Sequence, residues 1–201
     1  MKTVCVLRSG GIYTEAHVVR LIKQVPSIFC LSDMGLPSVP KDRIIPLRYK
    51  WPGWWSKIEV FNPAIEEDLL YIDLDSEIVG DLGKLVTVGE TSKCSILWND
   101  PIRPKYANSS VMWVKQTEKA AVWDRFRKNP AAFMKSFRSW PDKWGDQGFI
   151  SSCLPSAGRW PAGLIRSWRL ECKNGIKEGT VVLAFHGKPK PWDVAINRSI
   201  L

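Results

Sequence analysis

The sequence is short of three things: long apolar runs, histidine and paired cysteine. No stretch of 18 or more apolar residues occurs, so no transmembrane helix is expected. The first eight residues meet a charge, Arg8, too soon to read as a signal peptide, and the expected compartment is the cytoplasm. Cysteines at 5, 30, 94, 153 and 172 are odd in number and lack the spacing of a disulfide framework or a zinc site. Reduced core thiols are expected instead. Internal repeats and linker-like stretches are also missing, which leaves a single domain over residues 1–201.

What is present is an ordinary globular composition, 45% apolar and 24% charged, on a chain long enough to bury a real core. The net charge of +9 suits an anionic partner: nucleic acid, an acidic membrane surface or a phosphorylated ligand. The basic residues are nevertheless spread along the chain, with local concentrations only at 125–128, 166–169 and 188–190. A solvated basic surface fits this better than a nucleic-acid stripe. No specific nucleic acid is expected, while peripheral membrane contact through the basic surface stays open.

The order of elements reads as α/β. A short β-branched strand over residues 3–7 leads into the loop Arg8-Ser9-Gly10-Gly11. A helical period follows with Val18, Leu21, Ile22 and Val25, stopped by Pro26, and then a strand over 27–31. This βαβ unit implies a largely parallel sheet, whose ligands collect at the carboxyl ends of its strands. Further strands are expected at 43–47, 68–73, 77–79, 94–98, 109–114 and 180–185. One helix is expected from Ser56, carrying Lys57, and another from an N-cap at Thr117 to the basic turn before Pro130. Residues 130–144 read as loop or short helix, and His17 as a structural residue of the first helix.

The central strand ends in Asp73-Leu74-Asp75. Alternate side chains share a face, so both carboxylates can converge on a divalent cation such as Mn2+ or Mg2+. With 11 Asp residues, chance alone supplies roughly 0.6 such triplets at this length, so the triplet needs company. Candidates stand at other strand ends: the Arg8–Tyr13 loop, Asn108, Asp146-Gln147 and the segment from His186. An imidazole at His186 could complete an O,O,N ligand set, and Lys188 and Lys190, each followed by a proline that restricts the backbone, could hold a phosphate.

Leu-Tyr-Ile before Asp-x-Asp, together with a late strand running into His-Gly-x-x-Lys-Pro-Trp at 186–192, resembles the GT-A glycosyltransferases. The retaining family eight, which includes glycogenin and bacterial lipopolysaccharide galactosyltransferases, is the nearest pattern. Lys57, Asn108-Ser109-Ser110-Val111-Met112 and Asp146-Gln147 add supporting matches. The resemblance implies a GT-A fold, a mixed and mostly parallel sheet with helices on both faces. Residues 1–115 would be the nucleotide-sugar half, and 116–201 the acceptor side with the histidine segment. Asp73, Asp75 and His186 would hold Mn2+ or Mg2+. Arg8, Ser9, Gly10 and Tyr13 would receive the base. Lys57, Asp73 and Asn108 would contact ribose or donor sugar, and Gly187 and Lys190 the diphosphate. Asp146 and Gln147 would line the transfer face.

The implied reaction is transfer of a hexose from a UDP-sugar to a glycan, lipid or protein acceptor, with retention as family eight implies; in an inverting enzyme Asp146 would instead be the general base for the acceptor hydroxyl. Arg8-Ser9 departs from the Thr-Asn usual after the first strand, which leaves the base open, and the chain is shorter than typical members. The same residues would also suit a catalytically silent sugar-nucleotide or glycan-binding module. Trp51, Trp54, Trp55, Trp140 and Trp144 lie in irregular stretches where a flat ring could meet an acceptor, although most tryptophans serve packing.

Overall fold

The computed structural model describes residues 1–139 and 143–196; Trp140 lies outside them. In chain order the elements are β1 (Lys2–Leu7), α1 (Glu15–Gln24), β2 (Phe29–Ser32), β3 (Ile44–Pro46), β4 (Leu69–Ile72), β5 (Ser76–Ile78) and α2 (Gly83–Thr91). They continue as β6 (Ile96–Asn99), β7 (Ala107–Val114), α3 (Lys119–Lys128), α4 (Pro130–Ser136), β8 (Arg138–Ser139), β9 (Lys143–Trp144) and α5 (Gly145–Cys153). Last come β10 (Gly158–Arg159), β11 (Ile165–Ser167) and β12 (Val182–Ala184). The main sheet has seven strands in the order β10-β6-β7-β4-β1-β2-β3. Only β7 runs against its neighbours, pairing antiparallel with both β4 and β6. A second, three-stranded sheet, β11-β12-β5, stands beside it.

Strand alternation builds two cores, one on each face of this sheet. Cys5, Leu7, Leu70, Ile72, Val111 and Trp113 face the layer of α1 and α2. Val4, Leu69, Tyr71, Met112 and Val114 face α3, α5 and the 3-10 turn Gly53–Phe61. Because both faces of β4 are covered, all four of its residues are buried, which is why its sequence is apolar without alternation.

Several expectations are corrected by packing. The segment from Ser56 is a 3-10 helix from Gly53 to Phe61, buried over Trp55–Phe61, and not an α-helix. Thr117 does not cap α3; a 3-10 turn, Gln116–Glu118, precedes it, and Glu118 instead accepts from the backbone N–H of Ser95 at 2.6 Å. Residues 130–136 form α4, with Pro130 in the first turn and Asn129 accepting from the N–H of Ala132. Helix α2 was not expected, because its Gly- and β-branched-rich sequence has little helix propensity. It forms by docking: a Cβ at Gly89 would land inside the Trp113 ring, so only glycine lets the helix reach the sheet there. All five cysteines are free; Cys5, Cys30 and Cys172 are buried, and Cys94 and Cys153 partly so.

Candidate functional site

The carboxyl ends of the parallel strands β1 and β4 lie on one edge of the sheet. Antiparallel β7 begins at that same edge, so Ser109 and Ser110 reach the site from a strand start. The Asp73 N–H donates to the Ser110 carbonyl at 2.8 Å and fixes the Asp-Leu-Asp turn against β7. Beneath this edge opens a cavity of about 550 Å³, lined among others by Arg8, Tyr13, Lys57, Asp73, Asp75 and Asp146.

Lys57 is the hub of its floor. Its ammonium, almost wholly buried, lies 3.0 Å from Asp73 Oδ1 and 3.1 Å from Asp146 Oδ2. It also donates to Ser109 Oγ at 3.1 Å, and Ser109 in turn donates to Asp146 Oδ2 at 2.9 Å. Burial works against the charge, but Asp146 and Asp73 outweigh it and hold the Lys57 pKa above the usual lysine value. The Tyr71 hydroxyl donates to the same Asp73 oxygen at 2.5 Å.

Asp75 is served from the other side. Its Oδ2 accepts from the Tyr13 hydroxyl at 2.8 Å and pairs with the Lys190 ammonium at 2.5 Å. Burial raises the Asp75 pKa, and the Asp73 charge raises it further, while Lys190 pulls the other way. Burial, with Asp75 close by, likewise pushes the Tyr13 phenol up, so it stays a donor. Lys190 is delivered by the segment after β12, which docks on α1 through Trp192. The Trp192 ring meets His17 at 4.2 Å and Tyr13 at 6.1 Å between centroids. His17 Nδ1 accepts from the Thr14 N–H at 2.9 Å, closing the first turn of α1, so its role is structural.

The remaining candidates divide. Gln147 lines the cavity beside Asp146. Arg8 lines it too, but its guanidinium is paired with Asp33 at 2.9 Å. Ser9 is bound to Asp33 as well, through both hydroxyl and N–H. Gly11, and not Gly10, reaches the lining. Asn108 is buried and its carbonyl oxygen accepts from the Ser110 N–H at 2.7 Å, so it shapes the start of β7 and does not line the cavity. Gly187 takes φ +75°, a left-handed turn that carries the chain from β12 toward Lys190.

His186 does not join the carboxylates. Its Nε2 lies 2.6 Å from Ser167 Oγ, and burial, with Arg169 nearby, lowers its pKa. Among the described residues no three His, Cys, Asp or Glu side chains converge on a metal position. The fit to a divalent cation is therefore split. The two carboxylates suit it, since one oxygen of each is left over from the bonds above and their repulsion would be relieved. The imidazole would have to leave Ser167. Tyr71 and Asp33 are not singled out by sequence reading, and Ser109 enters only within the Asn108–Met112 match; their roles come from contacts made across the fold.

The chain matches no protein-family model and no curated protein sequence. Solved structures do match. GlyE, a glycosyltransferase of Streptococcus pneumoniae TIGR4, superimposes with a TM-score of 0.65 at 12% identity over 99% of this chain and 59% of its own. An active-site mutant of LgtC gives 0.64 at 12% identity, covering 96% of this chain and 89% of its own. The fold is the GT-A fold. A glycosyltransferase involved in glycosylating the major capsid of PBCV-1 also shares it, at TM-score 0.54, 10% identity and 92% and 93% coverage. This chain thus spans less than two thirds of GlyE but most of LgtC. At such identities the likeness speaks for the GT-A architecture, not for the chemistry of its cavity.

Proposed function

We propose that the chain is a glycosyltransferase that moves a hexose from a UDP-sugar to an acceptor, with a divalent cation at Asp73 and Asp75 and with retention. The observation that carries this reading is the Lys57–Asp73–Asp146–Ser109 cluster at the sheet edge formed by the carboxyl ends of β1 and β4, where α/β folds collect ligands. LgtC, which superimposes here, has been crystallised as a galactosyltransferase with donor and acceptor sugar analogues. Asp146 is tied to Lys57 and Ser109, which makes it a fixed negative charge on the cavity wall. Such a charge, with Gln147 next to it, stabilises a sugar gaining oxocarbenium character. Lys190 supplies a cation for the departing diphosphate, and the Arg8–Tyr13 loop takes the base. Mn2+ or Mg2+, when bound, supplies Lewis-acid stabilisation of that leaving group. His186 would be the third protein ligand only if it gave up Ser167.

A catalytically silent sugar-nucleotide-binding module is the second reading. It is favoured by one observation, that Lys190 holds Asp75 with no metal position of three ligands assembled among the described residues. Calorimetric titration with UDP, with and without Mn2+, tests both; no binding in either condition would sink them together. A screen of nucleotide sugars, read as nucleotide release, separates them, since the silent module binds without turnover.

A further inference from the structure

Beyond the donor cavity lies a second one of about 690 Å³ that shares Gly53, Trp54, Trp144 and Gly145 with it. The two tryptophans form the partition, with ring centroids 6.2 Å apart and planes tilted by 39°. They are unusually open for so large a side chain, 56% exposed at Trp54 and 41% at Trp144. Behind them the groove is walled by Trp55, Met134 and Phe137. Among its described lining residues there is no carboxylate, amide or hydroxyl side chain, and Arg138 is the one charged group.

That lining decides the ligand chemistry. A sugar ring brings hydroxyls that need donors and acceptors when they leave water, and the described lining offers side-chain donors only, the indole N–H groups and the Arg138 guanidinium. A hydrocarbon needs none and gains from every methylene it buries. The groove opens beside Gly145, directly before Asp146 and Gln147, so a molecule lying in it can present its other end to the transfer face.

We infer that this groove binds the apolar aglycone of an amphiphilic acceptor, whose hydroxyl-bearing head lies across the Trp54–Trp144 partition in the donor cavity. The inference rests on the glycosyltransferase reading for the word acceptor, but the groove's preference for a hydrocarbon tail can be measured without turnover. Trp54 and Trp144 then select the acceptor by the width of the gap they leave, and the specificity lies in the tail more than in the head.

The test is a series of methyl, butyl, hexyl and octyl β-glucosides and β-galactosides, each below its micelle-forming concentration. Binding is followed by intrinsic tryptophan fluorescence. Affinity is expected to rise roughly two- to fourfold per added methylene, whichever sugar heads the chain. Ala131→Trp, which fills the groove from an exposed position on α4, is expected to flatten that dependence. UDP titration on the same samples reports the donor cavity separately. Lost UDP binding with chain-length dependence intact would count against the proposed function and not against the groove. No binding by any glycoside, an affinity independent of chain length, or an undiminished dependence in Ala131→Trp would each overturn the inference. So would concentration-dependent dimerisation reversed by Ala131→Trp, because a second copy would then be the occupant.

Discussion

Replacing Lys57 by methionine keeps most of the side chain's volume and removes only its charge. Lys57 is 7% exposed, and its ammonium faces two carboxylate oxygens at 3.0 and 3.1 Å. At an effective dielectric near 20, each contact is worth about 5 kcal/mol of attraction before desolvation is charged against it. Burying the ammonium costs several kcal/mol, so the pair is far weaker net than that gross figure. Removing one partner is another matter, since Asp73 and Asp146 keep their charges and lose their cover, at a cost of about 3–5 kcal/mol. Urea denaturation at pH 7 should show a deficit of that size in Lys57→Met. In the native protein the Lys57 pKa is raised, so its contribution is fully present below the ordinary lysine value and fades only above it. Lys57→Met combined with Asp146→Asn should recover part of the loss. A deficit below about 1 kcal/mol at pH 7, or no recovery in the double variant, would refute the hub assignment.

Four further outcomes follow from the same geometry. Ser167→Ala frees His186 of one hydrogen bond, so Mn2+ affinity should rise about fivefold by calorimetry if the imidazole is a ligand, and stay put if it is not. Lys190→Met should tighten Mn2+ binding without nucleotide by about tenfold, by releasing Asp75, while weakening UDP binding in the same instrument. Gly89→Ala should lower stability by about 1–3 kcal/mol in chemical denaturation, because the added methyl collides with Trp113 and outweighs its gain in helix propensity. Burial pulls the Lys119 pKa down to about 8, although its ammonium donates to the backbone carbonyls of Ile65 and Glu67. The unfolded chain then holds a proton the native one has released, so stability should rise between pH 8 and about 10.4 relative to Lys119→Met.

The architecture was legible in the sequence because its central strands carry their own signature. A run buried on both faces, Leu69–Ile72, is apolar throughout, and the first βαβ unit shows its period in Val18 and Leu21. Helix α2 was not legible. It is held by the buried Leu85 and by the close fit of Gly89 on Trp113, tertiary contacts that no periodicity announces. At the site, Asp73, Asp75, Lys57, Tyr13, Lys190, Asp146 and Gln147 do gather at one edge. The polar partners were harder, since Ser109 and Asp33 matter only by whom they touch across the fold. His186 shows the limit of reading strand ends: being placed after β12 does not say which neighbour its ring will choose, and it chose Ser167.

The charge balance of the cavity links these observations. Three carboxylates, Asp73, Asp75 and Asp146, face two ammonium groups, Lys57 and Lys190, and the Arg8 charge is matched by Asp33. The site is therefore left one negative charge in excess inside a chain of net charge +9. A diphosphate entering such a site meets repulsion, because both lysines are already committed. Lys190 can turn to the phosphates only by abandoning Asp75, which then stands beside Asp73 without a cation. A divalent ion shared by the two aspartates would reverse that balance and free the lysine in the same event. On the proposed reading donor and metal would then need each other, and each should raise the other's affinity by the same factor.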